Sequence, residues 1–131
     1  MLILCDTHVL LWWVTGSPRL GPTARERLEQ AAARSELAVA DISLWEIAML
    51  ATKGRIQLPV AVSQFLDDLV LALGLRVLPI SPRIAEAAQA DDILHGDPAD
   101  RLIVATTRVH GAMLMTQDAR LQALDNLHLV W

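Results

Sequence analysis

Three apolar runs, Leu2-Ile3-Leu4-Cys5, Leu37-Ala38-Val39-Ala40 and Ala112-Met113-Leu114-Met115, constrain this chain more than any other feature. Each is too short for a helix of its own and shows no polar alternation, so each reads as a strand buried on both faces. Segments with helical patterning separate them. His8–Val14, Thr23–Ala33, Ser43–Thr52, Pro59–Leu73, Pro82–Ala90, the long stretch from Asp97-Pro98 to His110-Gly111, and Asp118–Leu124 are predicted helices. Arg76–Ile80 and Leu127–Trp131 are predicted to add two further strands. Gly16-Ser17-Pro18 marks a loop, and Gly54 and Gly74 stop the helices before them. Strands alternating with helices predict an α/β chain with a doubly wound parallel sheet.

The 131 residues suffice for one domain, residues 1–131, with a core that needs neither disulfide nor structural metal. A hydrophobic fraction of 53% argues against disorder. Cys5 is the sole cysteine, which excludes an internal disulfide and a thiolate zinc cluster; it reads as a small buried residue of the first strand. The apolar N-terminus is broken by Asp6, Thr7 and His8, lacks a basic leader and is too short to span a bilayer. No membrane association and a cytoplasmic location are therefore expected. The net charge of −4 sits poorly with a polyanionic partner unless acids are neutralised by bound cations. The positive side chains are ten arginines and one lysine, which suits bidentate phosphate contacts.

Four acids fall where the sheet pattern brings them to one edge. Asp6 ends the first strand, Glu46 follows the second, Asp118 follows the fourth, and Asp100 opens the helix leading into that strand. Ligands of open α/β sheets bind outside the carboxyl ends of the strands. Carboxylates gathered there repel, on the order of 4 kcal/mol for two charges about 4 Å apart at an effective dielectric of 20. A divalent cation offsets that repulsion, and all-oxygen ligands point to phosphate chemistry. Each acid also has a structural reading. Asp6 is a good N-cap, Ser43-Leu44-Trp45-Glu46 matches a capping box, and Asp118 suits a turn. Asp97-Pro98 is a natural cap and first helical residue, and two acids before one helix exceed what capping requires, so one of Asp97 and Asp100 reads as functional, with Asp100, beside Leu102 and Ile103, the first choice.

Other residues carry weaker signals. His8, His95, His110 and His128 lack metal-ligand spacing, although His95-Gly96 suggests an adjustable loop. Trp12, Trp13 and Trp45 read as packing residues, with one of the adjacent pair left for an interface because both cannot face inward. Arg101, Arg108 and Arg120 read as solvated charge, with phosphate contact as the alternative.

With these residues in place, the chain resembles the PIN-domain ribonucleases, in particular VapC-type toxins of bacterial toxin–antitoxin pairs. The resemblance covers essentially the whole chain. It is carried by Leu4-Cys5-Asp6-Thr7-His8, Ser43-Leu44-Trp45-Glu46-Ile47, Asp97-Pro98-Ala99-Asp100-Arg101-Leu102-Ile103-Val104-Ala105 and Thr116-Gln117-Asp118. It implies a three-layer fold, with a mostly parallel central sheet of four to five strands and helices on both faces. It implies that Asp6, Glu46, Asp100 and Asp118 form an acidic quartet holding Mg²⁺ or Mn²⁺, with Asp97 as a further ligand. It also implies hydrolysis of RNA, a cognate antitoxin and a homodimer. Leu10–Val14 and the helix around Phe65, Leu66 and Leu69 are the expected walls of the antitoxin groove.

Three rival readings remain. A phosphorelay receiver needs an acceptor Asp after strand three and a Lys after strand five, where this chain has Ile80-Ser81 and no lysine. A dehalogenase-type phosphatase needs a second Asp where His8 stands. A catalytically silent PIN-like binding module is separable only by assay.

Overall fold

The computed structural model describes residues 1–93 and 96–131. Five strands, β1 (Ile3–Cys5), β2 (Leu37–Ala40), β3 (Arg76–Leu78), β4 (Met113–Met115) and β5 (His128–Val130), form one sheet in the order β3-β2-β1-β4-β5. Every pairing is parallel, with Ile3 opposite both Leu37 and Met113. The connecting helices are α1 (Thr7–Val14), α2 (Pro22–Ala33), α3 (Asp41–Thr52), α4 (Val62–Leu73), α5 (Pro82–Ala87), α6 (Pro98–His110) and α7 (Ala119–Gln122).

Alternate residues of the central strands enter different cores. Ile3, Cys5, Leu37, Val39 and Met115 pack with Val9, Leu10, Leu28, Ile47 and Leu69 of α1 to α4. Leu4, Ala40 and Leu114 point the other way and pack with Ile103 and Val104 of α6 and Leu121 of α7. Side chains alternate across a strand, so an unbroken apolar run is what two covered faces require. The three-layer α/β arrangement expected from the sequence is therefore present, with a sheet that is parallel throughout.

The element boundaries shift where tertiary contacts intervene. α3 starts at Asp41 rather than Ser43, because β2 turns directly into the helix and the Asp41 carboxylate accepts from the Ile80 amide at 3.1 Å. α4 starts at Val62, and Pro59 lies outside it. α5 ends at Ala87, not Ala90, and carbonyls at and beyond its end are taken up by Arg101 of α6: Nη1 donates to Ala88 O (2.9 Å) and Ala90 O (3.4 Å), and Nη2 to Ile93 O (2.5 Å). β3 stops at Leu78, and α7 is only four residues long. Gly111, at φ 60°, reverses the chain from α6 into β4 in a conformation that other residues adopt only with strain. No helix among the described residues is long and apolar enough to cross a membrane.

Strand order decides where a ligand can enter. From β1 the chain builds outward through β2 and β3, then returns to the other side of β1 as β4 and β5. The switch lies between β1 and β4, whose carboxyl ends splay their following segments apart and leave a crevice. Asp6 leaves β1 there, and Thr116-Gln117-Asp118 leaves β4.

Candidate active site

Asp6 extends β1 by one bond, its amide donating to Met115 O at 3.0 Å, and the residue is only 7% exposed. It occupies the N-cap position of α1, yet its side chain makes no capping bond. The buried Thr116 hydroxyl donates to Asp6 Oδ2 at 2.7 Å and accepts from the Asp118 amide at 3.1 Å. Having one proton, that hydroxyl is locked in polarity and ties the ends of β1 and β4 together. Asp118 caps α7, Oδ1 accepting from the Arg120 amide at 2.9 Å, so its turn-forming and site-lining roles coexist.

Glu46 is not part of a capping box. The early start of α3 places Ser43 and Glu46 inside the helix, and its N-cap is Ala40 without a side-chain bond. Glu46 Oε1 instead accepts from the Thr7 hydroxyl at 2.5 Å, and Thr7 Oγ1 lies 2.8 Å from Ser43 Oγ. Thr7 has only one proton, so the Ser43 hydroxyl supplies the one between them. Two fully buried hydroxyls thus hold the glutamate. Asp97 is the cap of α6, Oδ1 accepting from the Ala99 amide at 3.0 Å, with Pro98 as the first helical residue. Asp100 lies one turn in, with its side chain 13% exposed.

These five acids line a single cavity of about 570 Å³, together with His8, Val9, Trp12, Arg19, Gln117 and Arg120. The electrostatics follow from crowding and burial. Asp100 is pushed up to about 7, first by burial and then by the charges of Asp97, Asp6, Asp118 and Glu46. Burial also raises Asp6, against the Thr116 hydrogen bond, and raises Glu46, against the Thr7 hydrogen bond. Three carboxyls are thus held where ionisation is disfavoured without a compensating cation. Arg120 supplies part of that charge, 2.9 Å from Asp118 and 3.7 Å from Asp100.

The donor set is hard oxygen with no thiolate, which suits a cation that retains several waters. Among the described residues no three His, Cys, Asp or Glu side chains close on one point as a ready-made cage. The acids surround a shared space instead, and water molecules of a hydrated ion can bridge it. Asp6, Glu46, Asp97, Asp100 and Asp118 are the donors available there.

Several other expectations are corrected. Arg101 is neither solvated nor free for phosphate, since it staples the end of α5. Arg108 forms a two-pronged pair with Asp92 (2.7 and 3.2 Å) and donates to the Asp125 and Asn126 carbonyls. Trp45 is 58% exposed rather than packed, while Trp12 and Trp13 both lie partly buried against the same core. Of the expected groove walls, Leu10, Leu11 and Leu69 are core residues, whereas Trp12, Trp13, Val14, Phe65 and Leu66 are only partly buried. His8 reaches the cavity, whereas His110 and His128 do not line it, and His95 lies outside the described residues. Thr7, Ser43 and Arg19 were missed as site residues. Their partners are distant in sequence or ring-stacked, and no local motif signals such contacts.

The PIN domain family matches residues 3–127. Ribonuclease VapC22 of Mycobacterium tuberculosis (strain ATCC 25618 / H37Rv) is 43% identical over 122 residues, 92% of this chain and 90% of that protein. Among solved structures, DNA-bound VapBC from Salmonella typhimurium aligns with a TM-score of 0.72 at 19% identity, covering 99% of this chain and 98% of that one. VapBC2 from Rickettsia felis, bound to a DNA fragment from its promoter, aligns with a TM-score of 0.71 at 19% identity and the same coverage. At that identity the structural likeness speaks for the fold.

Proposed function

The chain belongs to the PIN-domain family, and on that premise we propose that it is a Mg²⁺- or Mn²⁺-dependent endoribonuclease, the toxin of a toxin–antitoxin pair. The observation that carries the reading is the convergence of five carboxylates on one crevice at the switch point of the sheet. The 43% identity to a protein named a ribonuclease supports the reaction class.

Asp6 and Asp100 are assigned as the principal cation ligands, with Asp97, Glu46 and Asp118 completing the set. When bound, the divalent cation supplies an activated water and charge stabilisation for in-line displacement at a phosphodiester. Thr116 fixes Asp6 Oδ2, and Asp118 through its amide, so the two carboxylates keep their spacing as substrate arrives. Thr7 engages Glu46 Oε1 and leaves Oε2 to orient the attacking water and accept its proton. Arg120, already among the acids, can follow the negative charge that develops on the phosphate.

The proposal includes a cognate antitoxin, a homodimer and a cytoplasmic location. A protein partner is supported by an apolar recess of about 350 Å³ formed by Ile42, Trp45, Met49, Pro98 and Ala99, which borders Glu46 and Asp97. A segment seated in it abuts the acids and blocks them.

Cleavage of labelled total RNA by wild type and Asp6→Asn, each with Mg²⁺, Mn²⁺ or excess EDTA, tests the reading. Wild type alone is expected to cut, and EDTA to stop it. Equal cutting by the variant contradicts the site, and no cutting by wild type favours a silent binding module.

A further inference from the structure

We propose that Arg19, seated on Trp12 at the acid-lined cavity, contacts a backbone phosphate of the RNA; the inference rests on the ribonuclease reading above. The chain carries a net charge of −4, and five carboxylates against two guanidiniums leave the cavity negative even with one divalent ion bound. A polyanion entering it therefore depends on cations fixed nearby.

The two arginines are held differently. Arg120 is engaged by Asp118 and Asp100. Arg19 has no ion pair among the described residues, and its guanidinium lies 5.0 Å from the centre of the Trp12 ring. A cation resting on an aromatic face is positioned without using its N–H donors, so the planar fork stays available for phosphate oxygens.

The segment between α1 and α2 delivers Arg19 to that place. The Ser17 amide donates to Trp12 O at 2.8 Å and the Gly16 amide to Trp13 O at 3.2 Å, folding the loop back onto the helix that carries the ring. The left-handed Gly16, at φ +67°, makes the reversal. The Arg19 amide donates to Ser17 Oγ at 3.2 Å, and Leu20 anchors the far side in the core at 4% exposure. An exposed arginine is thus ordered by its backbone on one side and an indole on the other. That arrangement limits the entropy lost when it meets a ligand.

The test is anisotropy of a short, labelled, mixed-sequence single-stranded RNA in Ca²⁺ over a series of KCl concentrations, with cleavage in Mg²⁺ and Mn²⁺ measured alongside. Each phosphate contact to a single strand contributes about 0.7 to the slope of log K against log salt. Arg19→Ala is expected to weaken binding several-fold and flatten the slope by about that amount. Arg19→Lys keeps the charge and is expected to restore the slope but only part of the affinity. Arg83→Ala, removing an exposed arginine outside the cavity, is expected to leave both unchanged. A wild-type slope in Arg19→Ala, or an equal change in Arg83→Ala, overturns the assignment while wild-type cleavage keeps the ribonuclease reading. Wild type that neither binds nor cuts RNA overturns both.

Discussion

At the residue scale, the site consists of acids held by hydroxyls. Thr116 bonds Asp6 across 110 positions of sequence, and Thr7 bonds Glu46 across 39. Thr116→Val keeps the shape and removes both bonds of the hydroxyl, taking the donor from a buried carboxylate oxygen and the acceptor from the Asp118 amide. We predict a loss of about 1–3 kcal/mol in denaturant unfolding and about a 10–100-fold fall in cleavage rate as Asp6 loses its orientation. Asp100→Asn is predicted to abolish cleavage yet raise the melting temperature of the metal-free protein, because it removes the most strongly disfavoured charge in the cavity. A calorimetric scan beside a cleavage assay checks both halves. The acids were legible in the sequence because strand ends are legible. Their hydroxyl supports were not, since hydrogen bonds over such separations leave no local pattern. For Glu46 only the rival capping-box reading fails, because β2 runs straight into α3 and the helix has already begun at Asp41.

At the element scale, the helices hold the acids at the crevice through contacts made far from it. Arg101 of α6 binds three carbonyls at and beyond the end of α5, tying that segment to the helix that Asp97 caps and that carries Asp100. Arg101→Met retains apolar stem and deletes those donors. It is predicted to destabilise the protein by about 1.5–3 kcal/mol, as for hydrogen bonds from a charged donor, and to raise amide exchange around residues 88–93. Unchanged exchange there would contradict the staple. The central strands and α6 were readable as continuous apolar or periodic segments. The edge strands β3 and β5 were harder to bound, because Arg76, His128 and Leu129 face solvent and dilute the buried signature. Trp45 shows the limit from the other direction, since an apolar residue at helical spacing reads as core whether or not anything covers it.

At the scale of the whole molecule, parallel topology was evident from alternation, but strand order was not. The switch between β1 and β4 depends on which faces bury against which helices, a property of the assembled core. That switch concentrates charge, and the folded state should show it. Asp100 rises to about 7, and Asp6 and Glu46 move in the same direction. The folded chain therefore binds more protons than the unfolded one above the ordinary carboxyl range of about 4. The resulting stability is fully present below that range and is lost as pH rises through about 7. Asp92 shifts the other way, but its contribution is constant once pH exceeds the ordinary carboxyl range. Metal-free protein is thus predicted to melt at progressively lower temperature from about pH 5 to about pH 8. Saturating Mg²⁺ should reverse the trend, because the ion binds only the folded state. A melting curve that is flat with pH, or one that metal leaves unmoved, would contradict the charge cluster.

The central claim, that these acids hold the ion on which RNA hydrolysis depends, is tested most directly by one titration. Mn²⁺ is added to metal-free protein while bound ion, read from its paramagnetic resonance signal, and RNA cleavage rate are followed in the same samples. The account predicts that rate rises with occupancy in the wild type, and that Asp6→Asn loses binding and cleavage together. Full-rate cleavage without bound ion, or an Asp6→Asn variant that binds Mn²⁺ and cuts like wild type, would contradict it.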